Sequence, residues 1–219
     1  MPGEPREAAA CILVQGEAQP KVLLAKRNPS LRFMPGHHVF PGGRLDRSDD
    51  TRWVLNAPDE DQARAILAAV REVFEETGLL CVRGDLPSAD LLRRARHQLL
   101  AEKLAFTSLL ENHSLTIDAS EFEPAGDWLT PAFVSIRFST RYFLHRHRSD
   151  QREELIEGEI VALDWLTPSE ARQRWHAGQI KIPTPVAYTL RQLAAADLSS
   201  ALGYLRRGTE RVPREHNWF

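Results

Sequence analysis

Short apolar runs alternate with helical stretches along this chain, a mixture that predicts an α/β (α+β) sandwich built round a mixed sheet. Three observations carry it: two strand-like runs near the N-terminus, a helical period over residues 62–77, and a strand–helix pair after residue 160. Residues 8–14 and 22–26 read as strands parted by a polar turn around 16–20. Residues 28–43 carry three prolines and three glycines and are expected to be loop. In 62–77, Ile66, Val70, Val73 and Thr77 share one face. Asp59, Glu60 and Asp61 precede that face, where negative charge suits a helix N-terminus, and Gly78 follows as a stop.

Residues 88–112 are leucine-rich and laced with charge, which predicts one or two helices opening at Ser88 and Asp90. Strands are expected at 115–117, 133–136 and 141–145, with Thr130-Pro131 as a turn, and another at 160–165. Thr167-Pro168-Ser169-Glu170 has the form of a helix entry with proline at the first position. A last helix is expected at 185–196, and the polar tail 206–214 is expected to be loosely held.

A length of 219 residues suits one domain, 1–219, and 42% hydrophobic with 26% charged residues is the balance of an ordinary globular chain. The net charge of −2 gives no general attraction for nucleic acid or membrane, so an anionic ligand would need a local cation. Cys11 and Cys81, each in an apolar run that resembles a strand, are expected as buried free thiols, which fits a reducing compartment. Residues 1–7 carry no apolar signal region, and no run reaches the roughly 18 apolar residues of a membrane helix. Asn217-Trp218-Phe219 is not a peroxisomal or endoplasmic-reticulum address, so the cytoplasm is the expected compartment.

Chemistry concentrates in Arg71-Glu72-Val73-Phe74-Glu75-Glu76-Thr77-Gly78-Leu79. Glu72, Glu75 and Glu76 stand at i, i+3 and i+4 and project from one helix face, away from Ile66, Val70 and Val73. Three like charges so placed repel, and a hard divalent cation with oxygen ligands relieves them. The bland alternative is a solvated acidic face with Arg71 as its surface partner.

The string matches the second half of the Nudix signature, G-x5-E-x7-R-E-U-x-E-E-x-G-U with U aliphatic, and Phe40-Pro41-Gly42-Gly43 resembles the turn that opens it. The resemblance implies a Nudix-type α/β/α sandwich, Mg²⁺ or Mn²⁺ held by Glu72, Glu75 and Glu76, and Arg71 as a positioning residue. Gly42 and Gly43 are then the phosphate turn, where glycine lets backbone approach a ligand and the metal helix. One departure stands out. Gly43 to Arg71 spans 28 positions, about fourteen more than the signature, so residues of roughly 44–58 are an insertion. An ungapped helix puts Ala63 where the first box glutamate belongs, leaving that role vacant or to Asp46, Asp49 or Asp50. A second, helical insertion is expected at about 88–113.

Leu23-Leu24-Ala25-Lys26-Arg27-Asn28-Pro29-Ser30-Leu31-Arg32-Phe33-Met34-Pro35-Gly36-His37-His38-Val39-Phe40 runs into the glycine pair and resembles the extra motif of coenzyme A diphosphatases. Ala25 and Asn28 depart from it. The interrupted box, residues 91–110, Trp128-Leu129-Thr130-Pro131 and Arg137-Phe138-Ser139-Thr140-Arg141-Tyr142-Phe143 are similar to the peroxisomal acyl-coenzyme A branch. That branch implies a small-molecule nucleoside diphosphate substrate, with Arg27 and Arg32 as its phosphate-binding cations. Solvated arginines are the plain alternative. His37 and His38 lie beside the turn and are either substrate contacts or loop surface; Arg137 and Arg141 are left unassigned. A distant base or extra ligand is expected from Glu153, Glu154, Glu157 or Glu159, with Glu157 the residue chosen. Products would be phosphopantetheine, or its acyl form, and adenosine 3′,5′-bisphosphate. ADP-ribose or an NADH-type dinucleotide is the alternative substrate, and a ligand-binding module without turnover the alternative class. Homodimers are common in the family, but no residue pattern here argues for one.

Overall fold

The computed structural model describes residues 4–46, 49–147, 150–156 and 158–208. Its strands are β1 (Arg6–Gln15), β2 (Lys21–Arg27), β3 (His38–Val39), β4 (Gly42–Arg44), β5 (Val54–Leu55), β6 (Ile117–Asp118), β7 (Phe122–Leu129), β8 (Phe138–Arg146) and β9 (Ile160–Leu166). Its helices are α1 (Glu60–Thr77), α2 (Ala89–Leu100), α3 (Phe106–Asn112), α4 (Pro168–His176), α5 (Thr184–Ala195) and α6 (Leu198–Gly208). Among the described residues one mixed sheet runs β3-β2-β1-β8-β7, with β4 added to β1 and β9 to β2; β5 and β6 form a separate parallel pair.

Alternation along the central strand builds both cores. Ala9, Cys11 and Leu13 of β1 join Leu23 and Phe143 in packing against α1, α2 and α3. Ile12 and Val14 join Leu24 and Leu144 in packing against α4, α5 and α6. The sheet therefore lies between two helical layers, as an α/β/α sandwich. Helix α1 starts where the Asp59 side chain accepts from the Gln62 N–H at 2.7 Å, and stops at Gly78, which is left-handed at φ 80°. Ile66, Val70 and Val73 on its sheet side are fully buried, each contributing about 1.5–3 kcal/mol relative to exposure.

What positions the site is a division of the sheet. On one edge β1 runs parallel to β8, from Arg6 against Phe138 to Val14 against Arg146. On its other edge it pairs with β2 only at Val14–Val22 and Gln15–Lys21, and further back it takes up β4 instead, Ala8–Ala10 against Gly42–Arg44. β2 continues away with β9 and β3. A cleft opens between the diverging strands, and the glycine turn closes it on the side of α1.

Several expectations need correction. Residues 28–43 are not all loop, because His38–Val39 and the first residues of β4 pair with β2 and β1. Cys81 is in no strand, although both cysteines are buried and free as expected. Residues 133–136 form a turn, with the Val134 N–H bonded to the Pro131 carbonyl and Phe133 74% exposed. The reading missed β7, whose Pro124 and Gly126 disfavour a strand; β7 tolerates them at a sheet edge, where the register with β8 shifts between Pro124 and Asp127. It also missed α6, which buries Ala201, Leu202 and Leu205 and whose Arg206 donates to the Pro124 carbonyl at 3.0 Å. The tail beyond residue 208 lies outside the described residues. No helix among the described residues is long and apolar enough to cross a membrane.

The glycine turn supplies a stability test. A Cβ on Gly42 would lie 2.4 Å from the Ala9 carbonyl oxygen and 2.6 Å from the Ala10 Cα, whereas one on Gly158 would meet nothing within 4 Å. Urea unfolding of Gly42→Ala is expected to show a loss of about 1–3 kcal/mol from forced overpacking. Gly158→Ala is expected within about 0.5 kcal/mol of the parent.

Candidate active site

Helix α1 presents its last two turns to the cleft, and the glycine turn lies against them. The Gly42 N–H donates to Glu76 Oε2 at 3.1 Å, tying the turn to a carboxylate only 8% exposed. Gly43 is needed for a different reason: a Cβ there would lie 2.4–2.5 Å from the Glu72 carboxyl atoms. Neither glycine has a positive φ, so close approach, and not backbone freedom, requires them. Arg71 folds back over its own helix. Its Nη1 donates to Glu72 Oε1 at 2.7 Å and lies 3.5 Å from both Glu75 oxygens, and its Nη2 donates to the Arg44 carbonyl at 2.8 Å. Glu72 and Glu75 thus share one guanidinium, while Glu76, on the same helix face, is held by the glycine turn instead.

Burial dominates the electrostatics of these carboxylates. Burial pushes the Glu72 carboxyl up to about 7, with Arg71 opposing the rise and Glu75 adding to it. Burial likewise raises Glu75, and it holds Glu76 well above the ordinary carboxylate range, helped by the charges of Glu72 and Glu159. Two unit charges about 4 Å apart interact by roughly 4 kcal/mol at an effective dielectric near 20, well above the 0–1 kcal/mol of an exposed pair. One arginine does not balance these carboxylates. An oxygen-only donor set, carried on one helix end and short of positive charge, fits a hard divalent cation such as Mg²⁺ or Mn²⁺.

The other candidates divide. Ala63, at the first box glutamate's position, is buried and apolar. Of the acids in the insertion, Asp49 approaches the cluster, with Oδ2 3.8 Å from Arg71 Nε and a side chain 8% exposed. Asp50 instead caps the short turn at Thr51–Trp53, accepting from the Arg52 N–H. Arg27, the last residue of β2, donates to the Phe33 carbonyl at 3.1 Å and pairs with Glu159 at 2.7 Å. Both Arg27 and Glu159 line the cleft; Arg32 is exposed and does not. His38 is buried with Nε2 3.6 Å from Asp164, and neither it nor His37 lines the cleft. Glu153 bonds the Trp165 indole and Glu154 pairs with Arg93, whereas Glu157 lies outside the described residues. Of the acidic stretch, Glu159 is therefore the described side chain that lines the cleft with Glu72.

The cleft encloses about 330 Å³, the size of a small-molecule pocket. Glu72, Glu159, Arg27 and the glycine turn form its polar end; Phe33, Phe40, Trp128, Phe138 and Tyr142 wall the remainder. Phe33 and Phe138 meet edge to face at 5.1 Å, and Phe40 and Tyr142 at 6.3 Å. These aromatics escaped the sequence reading as site residues, because they come from separated segments that only the tertiary fold unites.

Arg96 of α2 also escaped it, since one arginine among many on a charged helix carries no signal. It is 2% exposed, donates twice to the Glu75 carbonyl at 2.9 and 3.1 Å, and bonds the Glu154 carbonyl. Burial draws its pKa down to about 10, which leaves it charged at neutral pH. It satisfies carbonyls at the C-terminal end of α1 and anchors the acidic stretch there. Arg96→Met is expected to lose about 1–3 kcal/mol in denaturant unfolding. Isothermal titration of that variant should also show weaker Mg²⁺ binding, because the last turn of α1 loses its anchor.

Comparison with known proteins bears on the family and the fold. Residues 56–193 match the NUDT19 Nudix domain family. A Caenorhabditis elegans protein provisionally named nudix hydrolase 7 is 31% identical over 204 residues, covering 91% of this chain and 65% of that protein's own length. The Homo sapiens acyl-coenzyme A diphosphatase NUDT19 is 28% identical over 282 residues, covering 96% of this chain and 75% of its length. The crystal structure of a NUDIX hydrolase from Alicyclobacillus acidocaldarius superposes with a TM-score of 0.81 at 27% identity, covering 93% of this chain and 97% of that one. With its box glutamates gathered on α1 under the glycine turn and its match to that domain model, the chain belongs to the Nudix hydrolase family, in the branch that contains NUDT19.

Proposed function

We propose that this chain hydrolyses the diphosphate of a nucleoside diphosphate derivative, with coenzyme A or an acyl-coenzyme A as the substrate. The observation that carries the reading is the cleft itself. Glu72 of α1, Glu159 and Arg27 line it beside the glycine turn, and apolar and aromatic side chains line the rest. A diphosphate fits the first part and an adenine or pantetheine arm the second. The motif resemblance through Arg27 and Phe40–Gly43 and the named activity of the human relative support the choice of coenzyme A.

Glu72, Glu75 and Glu76 would hold Mg²⁺ or Mn²⁺, which when bound neutralises phosphate oxygens and acidifies an attacking water. The Gly42 N–H fixes Glu76, and Arg71 orients Glu72 and Glu75 from one guanidinium. Glu159 takes the proton as the water oxygen bonds to phosphorus and the bridging P–O bond breaks. Arg27 supplies the cation at the cleft wall, and its bond to the Phe33 carbonyl holds it there. The products are phosphopantetheine, or its acyl form, and adenosine 3′,5′-bisphosphate. Two buried free thiols suit a reducing compartment such as the cytoplasm. The proposed partner is this small molecule and no nucleic acid; a homodimer agrees with the family habit.

One observation favours a second substrate. Arg32 does not line the cleft, so half of the coenzyme A motif's cationic pair is away from the cavity, as ADP-ribose or an NADH-type dinucleotide would allow. A binding-only module sits poorly with three intact box carboxylates in one cluster.

Chromatography of products from coenzyme A, acetyl-coenzyme A, ADP-ribose and NADH, each with Mg²⁺ or Mn²⁺, separates these readings. Adenosine 3′,5′-bisphosphate is expected from both thioester and free coenzyme A and is expected to vanish in Glu76→Gln. Arg27→Met is expected to lower kcat/KM for coenzyme A by about ten- to hundredfold, the weight of a charge-assisted contact. Turnover of ADP-ribose or NADH alone would overturn the coenzyme A assignment. Failure of every substrate would overturn the hydrolase reading.

A further inference from the structure

A second group of metal-ligand side chains lies on the α1 face of the sheet, and the diphosphate chemistry does not use it. His145 is the penultimate residue of β8 and His147 follows directly after the strand, so both side chains fall on the face that carries Phe143. Cys81 reaches the same place from the segment that leaves α1. The Cys81 sulfur and one ring nitrogen from each histidine lie within 4.8 Å of one another, and all three residues are buried. We propose that Cys81, His145 and His147 form a metal site, separate from the carboxylate cluster, that takes a zinc ion with a water molecule as its fourth ligand.

The donor chemistry selects the ion. One thiolate and two imidazoles are soft and borderline ligands, which favour zinc and reject Mg²⁺. Zinc held about 2.0–2.3 Å from tetrahedral donors places those donors about 3.3–3.8 Å apart, so side chains already within 4.8 Å need only a small closure. On binding, Cys81 gives up its thiol proton to solvent and both imidazoles bind through neutral nitrogen.

The surroundings are built as an outer shell is. His145 Nδ1 lies 3.3 Å from the Glu121 carbonyl, a bond that places the proton on Nδ1 and leaves Nε2 as the lone-pair nitrogen. Its ring stacks on Phe122 at 4.6 Å, and the His147 ring lies over Trp165 at 6.3 Å, which limits rotation of both. The His147 N–H donates to the Val14 carbonyl at 2.8 Å, continuing the β1 ladder past the end of β8. Gln151 then clamps the cysteine segment. Its amide accepts from the Leu80 N–H at 2.8 Å and donates to the Leu80 carbonyl at 3.0 Å. The backbone beside Cys81 and the chain just after His147 are thereby stitched together without the ion. Zinc would complete a junction between the end of α1 and the end of β8.

The test uses the full chain, purified without a histidine tag and stripped with EDTA. Titration with Co²⁺ is expected to give a thiolate-to-cobalt charge-transfer band together with tetrahedral d–d bands, both bleached by one equivalent of Zn²⁺ and unmoved by excess Mg²⁺. Glu76→Gln and Cys11→Ala are expected to keep the spectrum; Cys81→Ala and His147→Gln, checked for folding by circular dichroism, are expected to lose it. Zinc is expected to raise the parent's thermal midpoint by several degrees and to leave that of Cys81→Ala in place. A parent spectrum without the thiolate band, or a band that survives Cys81→Ala, would overturn the proposal. Should both ligand variants fail to fold, the parent decides, through an EDTA-reversible thiolate band and one bound zinc per chain by mass spectrometry. Coenzyme A turnover is not a readout here, so loss of the diphosphatase reading and loss of this one remain distinguishable.

Discussion

Glu72 occupies the space where a side chain on Gly43 would stand, and Gly42 lies so close to β1 that its hydrogen atom is all the room allows. These two close approaches join three elements that sequence keeps apart: the central strand, the glycine turn and the end of α1. The Gly42 N–H then holds Glu76 directly. The acidic lining of the cleft and the placing of Glu72 and Glu76 depend on that junction. The carboxylates are consequently carried by secondary structure instead of mobile loop, which is how a site keeps its geometry while bearing uncompensated charge.

The charge itself is the second constraint. Glu72, Glu75 and Asp49 face one arginine with Glu76 close behind, and burial makes their repulsion expensive. The fold offers partial relief: Arg71 among the carboxylates, Arg96 on the Glu75 carbonyl, and Arg27 against Glu159 at the cleft wall. Each of these arginines also donates to a backbone carbonyl, so each serves as a strut as well as a counter-charge. An oxygen-lined deficit of positive charge beside an aromatic chamber is a place where a cation and an anion bind together, and a metal–diphosphate pair has that character.

Much of the site was legible because helical periodicity is a local rule. Glu72, Glu75 and Glu76 had to share a face of any helix spanning them, and the burial of Ile66, Val70 and Val73 settles which face meets the sheet. Asp59 and Gly78 marked the helix ends for reasons of hydrogen bonding and left-handed backbone that act within a few residues. The misses have equally physical causes. Strand β7 contains a proline and a glycine that only an edge position with a bulge accommodates, and edge position is not a property of a segment. Helix α6 is amphipathic and short, and its burial depends on the groove beside β7 and α5. Among Glu153, Glu154 and Glu159, nothing in the local pattern distinguishes the residue that lines the cleft from those that pair with Trp165 and Arg93.

By itself, then, the sequence determined the sandwich class, the identity and helical phase of the box carboxylates, the glycine turn and the buried state of both cysteines. Those follow from periodicity, capping and hydrophobicity, which act over one or two turns or a single strand. Tertiary structure alone decided that β1 and β2 part company after two register pairs and leave a cleft, that Arg27 lines it while Arg32 does not, and that Asp49 rather than Asp50 approaches Arg71. It also brought Cys81 to His145 and His147, across more than sixty residues of chain. Such meetings depend on where distant elements pack, and no local propensity encodes them.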